Sequence, residues 1–416
     1  MSDHSDRQPI DADVRMRGFA RRTTVDEALR WVDAQLRPLS IERVPLAVAA
    51  GRVLAVAIES PVDVPGFDRA MMDGFAVSAH DVAGAAPYNP ISLSVIGEAF
   101  PGRPFAAQLS AGEAVKIMTG APLPAGADAV LPAELAECSG TLLRACGEVS
   151  PGKHVGFQGE DVAAGTTILT AGRVLRPQDL GLLSSIGAGD VECARRPRVA
   201  IVVTGGELLP AGSPPCGFQI ADANGPMLTA LVARDGGTVA SSRIVPDDRR
   251  AVSEALTADV DVVLVSGGSS VGQEDHVPMI LAEQGELAIH GIAMRPSSPT
   301  GMGRLGERLV FLLPGNPVSC LCAYDFFAGR AIRGLGGRPL GWPYRGLRAE
   351  LARKINSEIG RVDYARVMVR DGAVTPLAIG GASILSSTTR ADGFMVIPSD
   401  LEGYAAGSVV EVFLYD

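Results

Sequence analysis

Residues Asp261 to His276 read Asp-Val-Val-Leu-Val-Ser-Gly-Gly-Ser-Ser-Val-Gly-Gln-Glu-Asp-His, and no other stretch limits the fold as much. Val262 to Val265 form an unbroken apolar run that stops at turn residues. Such a run fits a strand buried on both faces, the condition inside a helix-covered parallel sheet. Ligands of open α/β sheets gather at the carboxyl ends of the strands. The glycines after Ser266 let backbone N–H groups approach an anion, and Glu274 and Asp275 bring carboxylates that suit a counter-metal. Taken alone, the stretch reads equally as a phosphate-plus-metal loop or as ordinary glycine punctuation after a strand.

The surrounding chain repeats the alternation of strand and helix. Val199 to Val203 reads as a buried strand, Pro226 to Arg234 as a helix and Gly237 to Val245 as the next strand. Asp247 or Asp248 caps a helix through Leu256, and a further helix spans Val277 to Gln284. Strands at Ile289–Met294 and Arg308–Leu313 precede a long helix from Pro317 to Ile332. Together they predict an α/β domain over 195–337 with a mostly parallel sheet.

Ahead of it, residues 1–17 read as a disordered tail. Thr24 with Glu27 forms a capping box that starts a helix ending before Pro38. Short alternating strands fill a β-rich domain over 44–147. Residues 18–43 and 148–194, with a helix at Pro177–Ile186, make a discontinuous helix/β linker domain. After a Gly- and Pro-rich linker, 344–416 reads as a small C-terminal β barrel or sandwich. The fold class is thus α/β plus β in several domains, and 49 Gly with 29 Pro exclude an all-helical chain.

Composition narrows function mainly by exclusion. The 416 residues are 47% apolar and 20% charged, enough for packed cores in roughly two to four domains. A formal charge of −10 speaks against a nucleic-acid surface, which needs a basic stripe. The start lacks an apolar signal region, and Ala47 to Ile58 is too short to span a membrane and contains Gly51 and Arg52. The reading is a cytoplasmic protein with no membrane partner. Six cysteines without a CxxC pair read as reduced, buried thiols. No Walker A loop, HExxH or nucleophile elbow occurs, and His276 reads as a cap or as a residue supporting the site from behind, rather than as a metal ligand.

Three more strand ends in the α/β segment carry ligand-type groups: Thr204-Gly205-Gly206-Glu207, then Asp222 to Gly225 with Asn224, then Gly315-Asn316 before the long helix. The last aims free N–H groups and a helix dipole at the sheet edge, a ready anion site. Taken one at a time, Asp222 and Asn316 read first as ordinary caps, but four such loops on one edge favour a ligand site. In the front half, Phe67 to Phe75 and Lys116 to Pro122 read by spacing as hairpin turns, the first a packed one because Met71 and Met72 stand beside Asp73.

The motifs FDRAMMDGF (67–75), IMTGAPLP (117–124), GADAVLPAE (126–134), GEDV (159–162), TGGELLPAG (204–212), QIADANG (219–225), SGGSSVGQEDH (266–276), LPGNPVS (313–319) and GRVDYARV (360–367) resemble the MoeA/gephyrin E-domain family, the molybdopterin molybdenumtransferases. The resemblance covers nearly the whole chain after the tail. It implies an elongated four-domain homodimer whose MogA-like α/β domain binds molybdopterin. It also implies a reaction that inserts molybdate into adenylylated molybdopterin with Mg²⁺ and releases AMP.

By that resemblance Asp73 and Thr119 belong to the catalytic set from the front domain, and Glu134 and Asp161 match further acidic positions. Glu207, Asp222 and Asp275 would hold the metal. Thr204, Gly205, Glu207, Asn224, Ser266, Gly267, Gly268, Ser298, Gly315 and Asn316 would line the cofactor pocket. Arg361 and Arg366 match basic positions that capture anions. A molybdopterin adenylyltransferase and client molybdoenzymes are the implied partners.

Departures from the family pattern fall at the oxyanion loop. Its usual Lys-Pro-Gly-Lys-Pro reads Arg295-Pro296-Ser297-Ser298-Pro299 here, so catalytic Arg295 keeps a charge and Ser298 loses one. Gly206 stands where an acidic residue is usual, and Ala221 and Ala223 replace a Tyr and a Ser or Thr. The alternatives to an insertase are a non-catalytic molybdopterin or cofactor carrier, a tungstate-inserting variant, and an adenylyltransferase acting on molybdopterin.

Overall fold

The computed structural model describes residues 22–268 and 276–415. The chain separates into two compact units. The larger comprises Met1–Glu42, Gly51–Val53 and Cys193–Asp416, and the smaller Arg43–Ala50 and Leu54–Glu192.

Helix α1, Val25–Gln35, opens with the capping box read from the sequence: Thr24 accepts from Glu27 N–H at 3.2 Å and Thr24 N–H donates to Glu27 at 3.0 Å. Its apolar stripe of Val25, Ala28 and Val32 is buried in the core of the larger unit.

The smaller unit is built on a sheet of six short strands, β1 Gly74–Val77, β2 Ile91–Ala99, β3 Glu113–Ile117, β4 Ala129–Pro132, β5 Ala136–Ser139 and β6 Leu142–Ala145. Their order is β4-β1-β3-β2-β6-β5, antiparallel except for the β2–β3 pair. Phe75, Val77, Leu93, Leu131 and Leu143 close one face. Helix α2, Pro177–Ser185, begins on its proline, where a missing N–H costs nothing.

In the larger unit, strands β7 Arg198–Thr204, β8 Thr238–Val245, β9 Val262–Ser266, β10 Glu286–His290, β11 Gly301–Leu305 and β12 Arg308–Leu313 form a second sheet. Its order is β8-β7-β9-β12-β11-β10. Strands β8, β7, β9 and β12 run parallel, and β11 and β10 add an antiparallel edge. Alternate residues of β9 serve two cores, Val262 and Leu264 on one face and Val263 and Val265 on the other. That two-sided burial is why the run is apolar throughout. Helices α3 Asn224–Arg234, α4 Arg249–Leu256 and α5 Val277–Gln284 connect the strands.

Strand β11 escaped the sequence reading because two glycines punctuate it. Both are demanded by close packing: a Cβ at Gly303 would lie 1.9 Å from Glu286 O, and one at Gly301 2.6 Å from a Leu312 methyl. The strand expected at Ile289–Met294 splits in two. Its first part is β10, and Met294–Arg295 pairs instead with Val362 and Asp363 of the C-terminal sheet. The long helix is present as α6 Pro317–Ala323, a π turn at Tyr324–Ala328 and α7 Gly329–Leu335. The wider turn leaves Tyr324, Asp325, Phe326 and Phe327 all buried.

The C-terminal strands are β13 Arg345–Leu351, β14 Val362–Arg370, β15 Ala373–Ala378, β16 Gly393–Ile397 and β17 Val409–Leu414. They follow the order β14-β15-β13-β17-β16, and a β14–β16 pairing closes the barrel. Trp342 meets Phe326 of the π turn and Phe394 and Phe413 of the barrel edge-on at 4.6–5.3 Å between ring centres. Tyr364 stacks on Phe394 at 4.3 Å. The α/β layer and the barrel therefore share one continuous aromatic core.

Candidate functional site

A cavity of about 800 Å³ opens at the carboxyl edge of β7, β9 and β12. Its floor comes from the loops that the sequence singled out. Thr204 ends β7 and Gly205 and Glu207 follow it, Ser266 ends β9 and Gly267 and Gly268 follow it, and Gly315 and Asn316 follow β12. Asp222 and Asn224 enter from the start of α3. The four strand-end loops thus meet around one space, as parallel-sheet topology requires.

Local geometry explains the residue types. Gly267 has φ +95°, and a Cβ there would lie 2.5 Å from Thr204 O and 2.7 Å from Thr204 Oγ1. A Gly267→Ala change is expected to cost about 2 kcal/mol or more and to weaken ligand binding, as read by denaturant unfolding and ligand titration. Asn224 is buried, and its amide donates to Ser266 Oγ at 2.8 Å and Gly315 O at 2.7 Å. It ties the β9 and β12 loops together. Beneath it Cys320 Sγ lies 3.8 Å from Ser266 Oγ, and burial pushes this thiol up to about 12, which keeps it protonated.

Asp222 accepts from Gly225 N–H at 2.9 Å, the capping role the sequence allowed, and is itself 8% exposed. A third carboxylate, Asp247, was read only as a helix cap. Its neighbour Asp248 does the capping, accepting from Ala251 N–H at 2.9 Å. Asp247 lines the cavity and accepts from Gly206 N–H at 3.1 Å. It lies just beyond β8, so the strand-end rule applied to a fourth strand would have found it. Ser383, from the loop after β15, also lines the wall, and no local signal points to it.

Glu207, Asp222 and Asp247 make the wall acidic, and no Lys or Arg stands among the described lining residues. No three His, Cys, Asp or Glu side chains form a ready metal cluster among the described residues. Mg²⁺ needs no such cluster, since it retains waters and uses one or two carboxylates together with ligand phosphates. The donor set therefore fits that ion. Asp275 lies outside the described residues.

Arg295, Ser298, Arg361 and Arg366, expected at the site from the larger unit, do not line this cavity. Arg295 is ion-paired to Asp363, which is fully buried and also accepts from Arg361 Nε at 3.2 Å and Ser357 Oγ at 2.8 Å. Arg361 further pairs with Glu358 at 2.9 Å. The charge kept at the variant loop is thus neutralised within the protein. Arg366 differs. It is fully buried and bonds Gly380 O, while its Nε and Nη1 are enclosed without a partner among the described residues. Burial pulls its pKa down from the usual arginine range. Ser298 Oγ is likewise enclosed and unpartnered.

Arg366 connects to the cavity through the backbone it holds. Two residues beyond Gly380, Ala382 O accepts from Val318 N–H at 3.0 Å in the first turn of α6, and the next residue is Ser383. In the variant loop Ser297 sits at φ +86°, where the family pattern has glycine, and its hydroxyl donates to Ser319 O at 2.6 Å. Ser297→Ala keeps the strain and loses the bond, whereas Ser297→Gly loses the bond and relieves the strain. The alanine variant is expected to be the less stable by about 1 kcal/mol in equilibrium unfolding.

In the smaller unit Asp73 accepts from both the N–H and the hydroxyl of Thr119, each at 2.7 Å. These bonds, the backbone one foremost, hold its carboxyl below the usual range, so it is charged at neutral pH. The turn is solvated rather than packed, contrary to the reading from its methionines: Asp73 and Thr119 are exposed and Met71 is 49% exposed.

Three family patterns match in sequence order: MoeA N-terminal region (domain I and II) over residues 23–187, probable molybdopterin binding domain over 200–333, and MoeA C-terminal region (domain IV) over 348–415. The chain is 34% identical over 402 residues to molybdopterin molybdenumtransferase 2 of Mycobacterium tuberculosis, covering 94% of this chain and 99% of that protein. It is 31% identical to the molybdopterin molybdenumtransferase of Haemophilus influenzae, covering 94% and 98%. The solved molybdopterin biosynthesis MoeA protein of Pyrococcus horikoshii OT3 superposes with TM-score 0.80 at 32% identity, covering 95% of this chain and 100% of that one. The chain belongs to the MoeA family of molybdopterin molybdenumtransferases.

Proposed function

We propose that this protein inserts molybdate into adenylylated molybdopterin in a Mg²⁺-dependent reaction that releases AMP. The observation that carries the reading is the acidic cavity at the sheet's carboxyl edge. Glu207, Asp222 and Asp247 repel a phosphate-bearing ligand unless a divalent cation stands between them. Anion-binding groups are nonetheless present, in the glycine loop after β9 and at the start of α6 beside Gly315 and Asn316. Acid and anion cradle in one cavity match a diphosphate held through a metal.

Glu207 and Asp222, with Asp275, would hold the ion, and Asp247 supplies the acidic group that Gly206 lacks. When bound, Mg²⁺ would polarise the phosphoanhydride. Asn224 fixes the spacing of the β9 and β12 loops around the phosphate. The two dithiolene thiols of the pterin first displace one oxide of molybdate as water and form two Mo–S bonds. An oxygen of that bound molybdate then attacks the adenylyl phosphorus, and the anhydride P–O bond breaks with the pterin phosphate as leaving group. Water displaces AMP from the molybdenum, which stays on the pterin. Of Arg295, Arg361 and Arg366, Arg366 is the one with no carboxylate partner among the described residues, and it is assigned to the oxyanion together with Ser298. Asp73 and Thr119 belong to the same reaction in a homodimer, with Asp73 kept charged by its two hydrogen bonds.

Equilibrium binding of adenylylated molybdopterin tests this reading. Affinity is expected to fall at least about tenfold when EDTA replaces Mg²⁺. Equal affinity in EDTA would overturn the metal-bridged arrangement. A second reading, a carrier of molybdopterin or finished cofactor, is favoured by one observation: Arg295 is consumed by Asp363.

A further inference from the structure

Away from the acidic cavity, the arginines at the entry to the α/β layer surround a small hollow in the larger unit. It is lined by Arg52, Arg196 and Arg338 with Ala194, Gly236 and Gly336 among the rest of its wall. The centre of a water-sized species has about 10 Å³ there, enough for one such particle.

Each guanidinium brings unused donors. Arg52, 9% exposed, spends Nη2 on Glu42 and on Ala194 O at 2.9 Å, and its Nε is enclosed without a partner. Its Nη1 has no bond to any described residue. Arg338 gives Nη1 to Arg234 O at 3.2 Å and Nη2 to Gly51 O at 2.7 Å, both neutral carbonyls, which leaves Nε. Arg196 is exposed and forms no side-chain bond to a described residue.

The backbone is shaped to admit these groups. Gly236 has φ +87°, and a Cβ there would lie 2.4 Å from Arg338 Nε. Charge does not balance locally. Glu42 answers Arg52, while nearby Asp235 is engaged by Arg234 at 2.9 Å and by Arg333 at 2.9 Å. Burial, with Arg196 and Arg333 as like charges, pulls Arg338 below the usual arginine range. Three arginines around one hollow, answered by Glu42 and by an Asp235 already shared between Arg234 and Arg333, form a place that favours an anion.

We propose that this hollow binds a single monoatomic anion, of which chloride is the abundant example, and that the bound ion fastens the Gly51–Val53, Ala194–Arg196, Gly236 and Gly336–Arg338 segments together. Size decides the class, because a tetrahedral oxyanion exceeds the room available. The site is separate from the acidic cavity, with which it shares no residue.

Thermal unfolding in chloride and in gluconate at equal ionic strength tests it, since gluconate is too large to enter. The midpoint is expected to be higher in chloride by about 2 °C or more. Arg196→Gln, which breaks no described side-chain bond, should remove at least half of that difference, and Arg338→Met should abolish it. A crystal soaked in bromide should show an anomalous peak between Arg52 and Arg338. Equal midpoints in the two salts would overturn the proposal. So would a bromide peak without any salt-specific shift, which marks an adventitious ion only.

Discussion

Replacing Asp222 with asparagine should lower molybdate-dependent AMP release by about 10²–10³-fold while leaving the fold nearly as stable as before. The two effects separate because Asp222 has two duties. Its Oδ1 accepts from Gly225 N–H at the start of α3, and an asparagine carbonyl can accept the same bond. Its negative charge faces the cavity beside Glu207 and Asp247, and the amide cannot replace it. The proposed reaction draws on that charge to hold Mg²⁺ against the phosphoanhydride, where loss of a donor costs several kilocalories per mole. The Mg²⁺ concentration for half-maximal activity should rise as well. Asp222→Ala should add a stability loss of about 1 kcal/mol, because the helix start loses its acceptor. An Asp222→Asn variant with full turnover would remove this carboxylate from the metal assignment.

Arg366→Met should give the opposite pairing, a more stable protein that handles molybdate poorly. Arg366 is fully buried, and among the described residues two of its nitrogens are unpartnered and no carboxylate is bonded to it. A methionine fills similar space without a charge to desolvate, and such exchanges often stabilise a fold by about 1–3 kcal/mol. An unpaired buried cation retained at this position is explained by a ligand that completes it. The molybdate concentration for half-maximal AMP release should therefore rise at least about tenfold, with a smaller effect on the affinity for adenylylated molybdopterin. Unchanged molybdate dependence would sink the assignment. Arg295→Met should behave differently, because it leaves buried Asp363 with Arg361 as its one remaining arginine partner, and it destabilises by about 1–3 kcal/mol.

The parts of this site visible in sequence were those set by a local rule. Val262–Val265 and Val199–Val203 announce buried strands by unbroken β-branched runs, and glycine at Gly267 follows directly from the backbone that must pass Thr204. Asp222 and Asn316 were legible because caps and ligand loops use the same residue types. What stayed hidden depends on chain segments far apart. Ser383 reaches the cavity only because the loop after β15 bonds the first turn of α6. Nothing in the local sequence sets Asp363 apart, yet its burial beside Met294–Arg295 decides what Arg295 can do. Strand β11 was masked by Gly301 and Gly303, whose small size serves packing instead of a turn. The solvated setting of Asp73 was misread for a related reason, since neighbouring methionines say nothing about which way their side chains face.

Insertion and carriage make opposite demands on one assay. Purified protein incubated with adenylylated molybdopterin, Mg²⁺ and increasing molybdate should release AMP in proportion to the pterin that acquires metal, with a rate that saturates in molybdate and vanishes in EDTA. Tight binding of the adenylylated substrate with no molybdate-dependent AMP release would contradict insertion and leave the carrier.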